Sequence, residues 1–80
     1  MTVHDQKITG RQISAARALL GLSQAGLARM LGLHRKGVAY WELREKIDRG
    51  ASDNLADILG ALENQGIEFL DGEGVRLRKC

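Results

Sequence analysis

Proline is absent from these 80 residues, cysteine occurs once, and only Tyr40, Trp41 and Phe69 are aromatic. Each shortage excludes something. A lone Cys80 cannot close an internal disulfide, so packing must hold the fold. His4 and His34 stand far apart in the chain, so no metal-ligand spacing exists, and neither a metal nor another cofactor is expected. No nucleophile sits beside an evident base and no glycine-rich loop joins a strand to a helix, so no catalytic residues are assigned and an enzyme is not expected. No apolar run approaches the ~18 residues of a membrane span, which argues against a membrane protein. The opening stretch from Val3 to Lys7 is too polar for a signal peptide, and a cytoplasmic location is the expectation.

What is present is ordinary in amount and uneven in place. A chain with 44% hydrophobic and 28% charged residues reads as one small soluble domain with a modest core. The net charge of +2 conceals a basic front and an acidic back. Residues 1–50 hold nine Lys and Arg against four Asp and Glu, whereas residues 51–80 hold three against six. A basic front points to a polyanionic partner.

Without proline, glycine does most of the punctuation. Residues 1–8 show no periodicity and are expected to fray. Thr9 and Gln12 have capping-box spacing, and Ile13, Ala16 and Leu20 follow at helical intervals with Leu19 widening the stripe, up to Gly21. Ser23 is a good N-cap for a second helix that carries Leu27 and Leu31 inward and ends at Gly32. A third helix over 34–43 turns Val38 and Trp41 inward. A fourth starts near Ser52 or Asp53, gathers Leu55, Ile58, Leu59 and Leu62 on one face, and stops at Gly66. Two β-like runs, IEFL and VRLR, flank DGEG and read as a hairpin. If Phe69 pairs with Val75, Ile67 meets Leu77 and Glu68 faces Arg76, leaving a loop of Asp71, Gly72 and Glu73. The expected fold is therefore mainly α, with four helices over 9–66 and a C-terminal β-hairpin in 67–80.

The most informative stretch is LSQAGLARMLGLHRKGVAYWE, residues 22–42. Two short helices joined by so tight a turn suit a helix-turn-helix. Ala28 is small where the helices approach, Gly32 can adopt a left-handed backbone, and Leu33 and Val38 pin the turn to the core. With Val38 and Trp41 inward, Arg35, Lys36, Ala39 and Tyr40 form the outward face.

Residues 9–66 resemble the Xre family, the helix-turn-helix DNA-binding domains of the Cro and lambda-repressor type. The Ser23–Gln24 pair, Ala28, Gly32, Val38 and the Trp41–Glu42 pair sit at the family's positions, with Arg17 placed to pair with Glu42. The resemblance implies a lambda-repressor-like bundle and a sequence-specific, double-stranded-DNA-binding transcriptional regulator of repressor type. It places His34, Arg35, Lys36 and Tyr40 against base edges or adjacent phosphates, with Arg35 matched to guanine. It assigns Ser23, Gln24 and the first amides of the second helix to a phosphate clamp. Arg44, Lys46 and Arg49 in the following loop would neutralise further phosphates.

The chain also departs from that pattern. Where the family has a glycine soon after the Trp-Glu pair, LREKIDRG runs on to Gly50, consistent with either a longer third helix or an unusual loop. Gly26 lies inside the second helix at a cost of roughly 1 kcal/mol against alanine. A hairpin replaces the fifth helix of the phage repressors, and it is the expected homodimerisation element. Arg76, Arg78 and Lys79 read as a solvated strand face. The alternative function is an antitoxin that binds a partner toxin and represses its own operon, for which residues 67–80 are barely long enough.

Overall fold

Each helix begins where a side chain accepts a hydrogen bond from the first turn. The computed structural model describes residues 7–70 and 74–78. In chain order the elements are β1 (Lys7–Ile8), α1 (Gly10–Leu19), α2 (Gln24–Leu31), α3 (Arg35–Glu42), β2 (Ile47–Asp48), α4 (Asp53–Asn64), β3 (Ile67–Phe69) and β4 (Val75–Leu77). The Thr9 hydroxyl accepts from the Gln12 amide at 3.1 Å, and the Gln12 carboxamide oxygen accepts from the Thr9 amide at 2.9 Å, a reciprocal capping box. Ser23 accepts from the Gly26 amide at 2.9 Å, His34 Nδ1 from Lys36 at 3.1 Å, and Ser52 from Leu55 at 3.0 Å. Such caps contribute about 1 kcal/mol each. Gly26 sits close to one of them: a Cβ there would lie 3.2 Å from Ser23 Oγ, so the cap crowds anything larger.

The core draws on every helix. Ile13 and Ala16 of α1, Leu27 and Ala28 of α2, Val38 of α3, and Leu55, Ile58, Leu59 and Leu62 of α4 are buried together. Leu20, Leu31, Leu33 and Trp41 pack against this cluster while partly exposed. Leu19, expected to widen the α1 stripe, is 48% exposed and lies off it.

Two expectations need correction at the chain's front and after α3. Lys7 and Ile8 do not fray: they pair antiparallel with Asp48 and Ile47, and both isoleucines are buried. Residues 1–6 lie outside the described residues, as do Asp71, Gly72, Glu73, Lys79 and Cys80. The third helix is not lengthened beyond its expected end, since it stops at Glu42 with Leu43 as its cap. The loop after it is the unusual part, because β2 draws it back across β1.

That return brings the start of α1 against the end of α3. The Gly10 amide donates to the Arg44 carbonyl at 2.8 Å. A Cβ on Gly10 would stand 2.2 Å from the Glu42 carbonyl oxygen, a separation backbone atoms cannot yield to.

The hairpin has the expected register, with Ile67 opposite Leu77, Glu68 opposite Arg76 and Phe69 opposite Val75. Its apolar side chains join the core, with Ile67 fully enclosed and Phe69, Val75 and Leu77 packed on it. Gln12, wholly buried in α1, donates through its carboxamide nitrogen to the carbonyls of Leu70 at 2.8 Å and Gly74 at 2.9 Å. One side chain therefore caps α1 and ties the ends of the hairpin loop to it. On the outer face Arg76 and Arg78 both bridge to Glu68. The Arg76 hydrogen bond holds the Glu68 carboxyl below its usual value of 4.5. A lowered carboxyl favours the fold above pH 4.5, and that contribution fades as pH falls through the lower folded value.

Gly10→Ala should destabilise the domain by about 3 kcal/mol or more, read from urea unfolding, because the contact it strains is backbone on both sides. Gln12→Ala should cost ~1–3 kcal/mol, since it takes the Gln12 donor from the Leu70 and Gly74 carbonyls, of which Gly74 keeps the Leu70 amide, and the acceptor from the buried Thr9 amide.

Candidate functional site

Val38, wholly buried, sets the orientation of α3. Helical geometry then turns Arg35, Lys36, Ala39 and Tyr40 away from the core. Arg35, Lys36 and Tyr40 are exposed and Ala39 is half-buried among them. The side chains of Arg35 and Lys36 form no hydrogen bond or ion pair among the described residues, and neither α2 nor α3 has an acidic residue in its first turn. Two free cations therefore stand at the helix end whose own dipole is positive, a place suited to an anion.

The turn before α3 is built by Gly32 and His34. Gly32 takes φ 69° and ψ 26°, and the Leu33 amide closes back on the Ala28 carbonyl at 2.9 Å. His34 spends Nδ1 on its cap, which leaves only Nε2 to face outward. Ala28 is buried on α2, beneath the α2–α3 packing its small side chain permits.

Three of the sequence candidates converge on one group. Glu42, the last residue of α3, accepts from Arg17 Nε at 2.7 Å and from Arg17 Nη2 at 3.2 Å. It also accepts from the Gln24 carboxamide at 2.9 Å, while Arg17 Nη1 donates to the Leu22 carbonyl at 2.8 Å. The Glu42 side chain is 7% exposed and that of Arg17 18%, so solvent screens this pair little. Gln24, expected at a phosphate, is thus turned toward Glu42 and joins the first turn of α2 to the last of α3. Ser23 keeps its hydroxyl hydrogen free while its oxygen serves the α2 cap.

Trp41 lies against the core, and Tyr40 leans on it edge to face, with ring centroids 5.0 Å apart and planes at 84°. Arg44, beyond the helix end, folds back over the Tyr40 ring with its guanidinium carbon 5.2 Å from the centroid, and donates to the Tyr40 hydroxyl at 3.0 Å. That contact is invisible in the sequence, since it depends on where the chain turns after Leu43. Lys46 is exposed and has no ion-pair partner among the described residues. Arg49 does not join the α3 face: it bonds Glu63 of α4 at 2.8 Å and lies 5.7 Å from the Phe69 ring centroid.

Among the described residues no three of His, Cys, Asp and Glu gather as a metal site, and no helix is long and apolar enough to cross a membrane. No protein-family model matches the chain, and a search of the curated proteins finds none that matches it.

Arg17→Met should destabilise the fold by about 3 kcal/mol, because it leaves a nearly buried carboxylate without its cation. The double variant Arg17→Met, Glu42→Leu should recover most of that loss in the same denaturation experiment, since burial without charge avoids the desolvation cost.

Proposed function

We propose that the chain is a sequence-specific double-stranded-DNA-binding transcriptional regulator of repressor type. In this reading α2, the Gly32–His34 turn and α3 form a helix-turn-helix. The observation that carries it is the outward face of α3, where Arg35 and Lys36 stand exposed and unpaired over a wholly buried Val38. Cations in that position have nothing to stabilise within the domain, and an α-helix of this size enters a major groove. Arg35 is assigned to a guanine, whose O6 and N7 match its two-pronged donor. Lys36 is assigned to a guanine or phosphate, and Ala39 offers a small apolar contact for a thymine methyl. The free amides at the start of α2 are assigned to phosphate, with Ser23 beside them.

The toxin-binding alternative finds less to stand on. Ile67, Phe69, Val75 and Leu77 pack on the domain's own core, and Leu70 is the one large apolar side chain among the described hairpin residues left exposed for a partner. Homodimerisation is proposed for another reason: two copies on half-sites ~34 Å apart multiply the bases read. Sedimentation of the full chain at high concentration tests it, and a monomer alone and on DNA would contradict it.

Selection of bound duplexes from a random pool should enrich one sequence class. Arg35→Ala should then cost ~1–3 kcal/mol on the selected duplex and much less on a scrambled one. Equal losses on both would reduce Arg35 to a phosphate contact, and an affinity indifferent to salt would contradict the DNA reading itself.

A further inference from the structure

Arg44 is the one cation of the α3 region that the fold holds at both ends. Its backbone carbonyl accepts from Gly10, whose close approach to Glu42 leaves no room for drift. Its guanidinium rests on the Tyr40 ring and donates to the Tyr40 hydroxyl. Tyr40 in turn is braced by Trp41, which lies against the core. A chain of contacts thus runs from the core to an exposed guanidinium.

Both side-chain contacts of Arg44 are to one neutral residue, Tyr40, and it has no carboxylate bridge among the described residues. The positive charge is positioned without being neutralised. The chemistry of the pair is equally directional. Tyr40 Oη accepts from Arg44 Nη1, which leaves its own O–H free to donate, while Nε and Nη2 of Arg44 keep their hydrogens. Accepting from a cation also makes that O–H a better donor. Two donors of fixed separation, one of them charged, match two oxygens of a single phosphodiester.

Resting on the DNA-binding reading above, we propose that Tyr40 and Arg44 form one phosphate clamp for the duplex backbone, and that Tyr40 is therefore not a base-reading residue. Arg44 supplies the charge and one donor, and Tyr40 supplies the second donor and the platform. Leu43, 85% exposed between them in sequence, takes no part.

The test measures affinity across a salt series for the full-length protein and for Tyr40→Phe, Arg44→Ala and Arg44→Lys, on the selected duplex and on a scrambled one. Tyr40→Phe should lose about tenfold on both duplexes alike, the size of one charge-assisted hydrogen bond, with an unchanged salt slope. Arg44→Ala should reduce the slope of log affinity against log salt by about 0.9, the share of one phosphate, while Arg44→Lys should keep the slope and lose affinity. Thermal unfolding of Tyr40→Phe should match the parent, because the phenol is exposed. A Tyr40→Phe loss confined to the selected duplex would make Tyr40 a base reader and overturn the clamp. So would no loss on either duplex, or an unaltered slope in Arg44→Ala. A parent protein without salt-dependent duplex binding would instead remove the DNA reading, and the clamp with it.

Discussion

The crossing of α1's first residue over α3's last turn is the constraint on which the molecule depends. Gly10 permits it, since any side chain would collide with the Glu42 and Trp41 carbonyls. The Gly10–Arg44 hydrogen bond then fixes the chain as it leaves α3, and Arg17 reaches from α1 to seize the Glu42 carboxylate. Gln24 brings the start of α2 to the same carboxylate. Three helices meet at one acidic group, so α3 is fixed at its C-terminal end independently of what its outer face touches.

That arrangement lets a small domain keep a rigid exposed face. The interior side of α3 needs little more than Val38 and Trp41, because its end is tied by polar contacts and its start by the Gly32 turn and the His34 cap. The outer residues are then released from structural duty. Elsewhere the same economy recurs: Gln12 caps α1 and holds the hairpin, and the hairpin in return completes the core with Ile67. Removing residues beyond Gly66 would strip the core of Ile67 and leave a buried carboxamide without acceptors, so the hairpin is integral to the domain whatever else it contacts.

Local chemistry was legible in the sequence and distant chemistry mostly was not. The caps at Thr9, Ser23 and Ser52, the left-handed Gly32 and the hairpin register follow from short spacings with one sensible outcome. The Arg17–Glu42 pair was readable too, through the family resemblance. The β1–β2 ladder was not, because two residues carry no period and their partners lie far along the chain. The second half of Gln12's work spans 58 to 62 residues, beyond any spacing rule. At the site, the outward set on α3 followed from helical periodicity once Val38 was placed inside. The diversion of Gln24 to Glu42 and the folding of Arg44 onto Tyr40 depend on the angle between helices and on the turn after Leu43, and a one-dimensional pattern encodes neither.

The central claim is that the outer face of α3 is a nucleic-acid-binding surface. Following backbone amide shifts of the labelled full chain as duplex DNA is added tests it most directly. Salt-sensitive changes should concentrate at Ser23–Ala25 and His34–Arg44, with α4 and the hairpin little affected. Changes centred on α4 or β3–β4, or no change at a duplex concentration well above that of the protein, would contradict it.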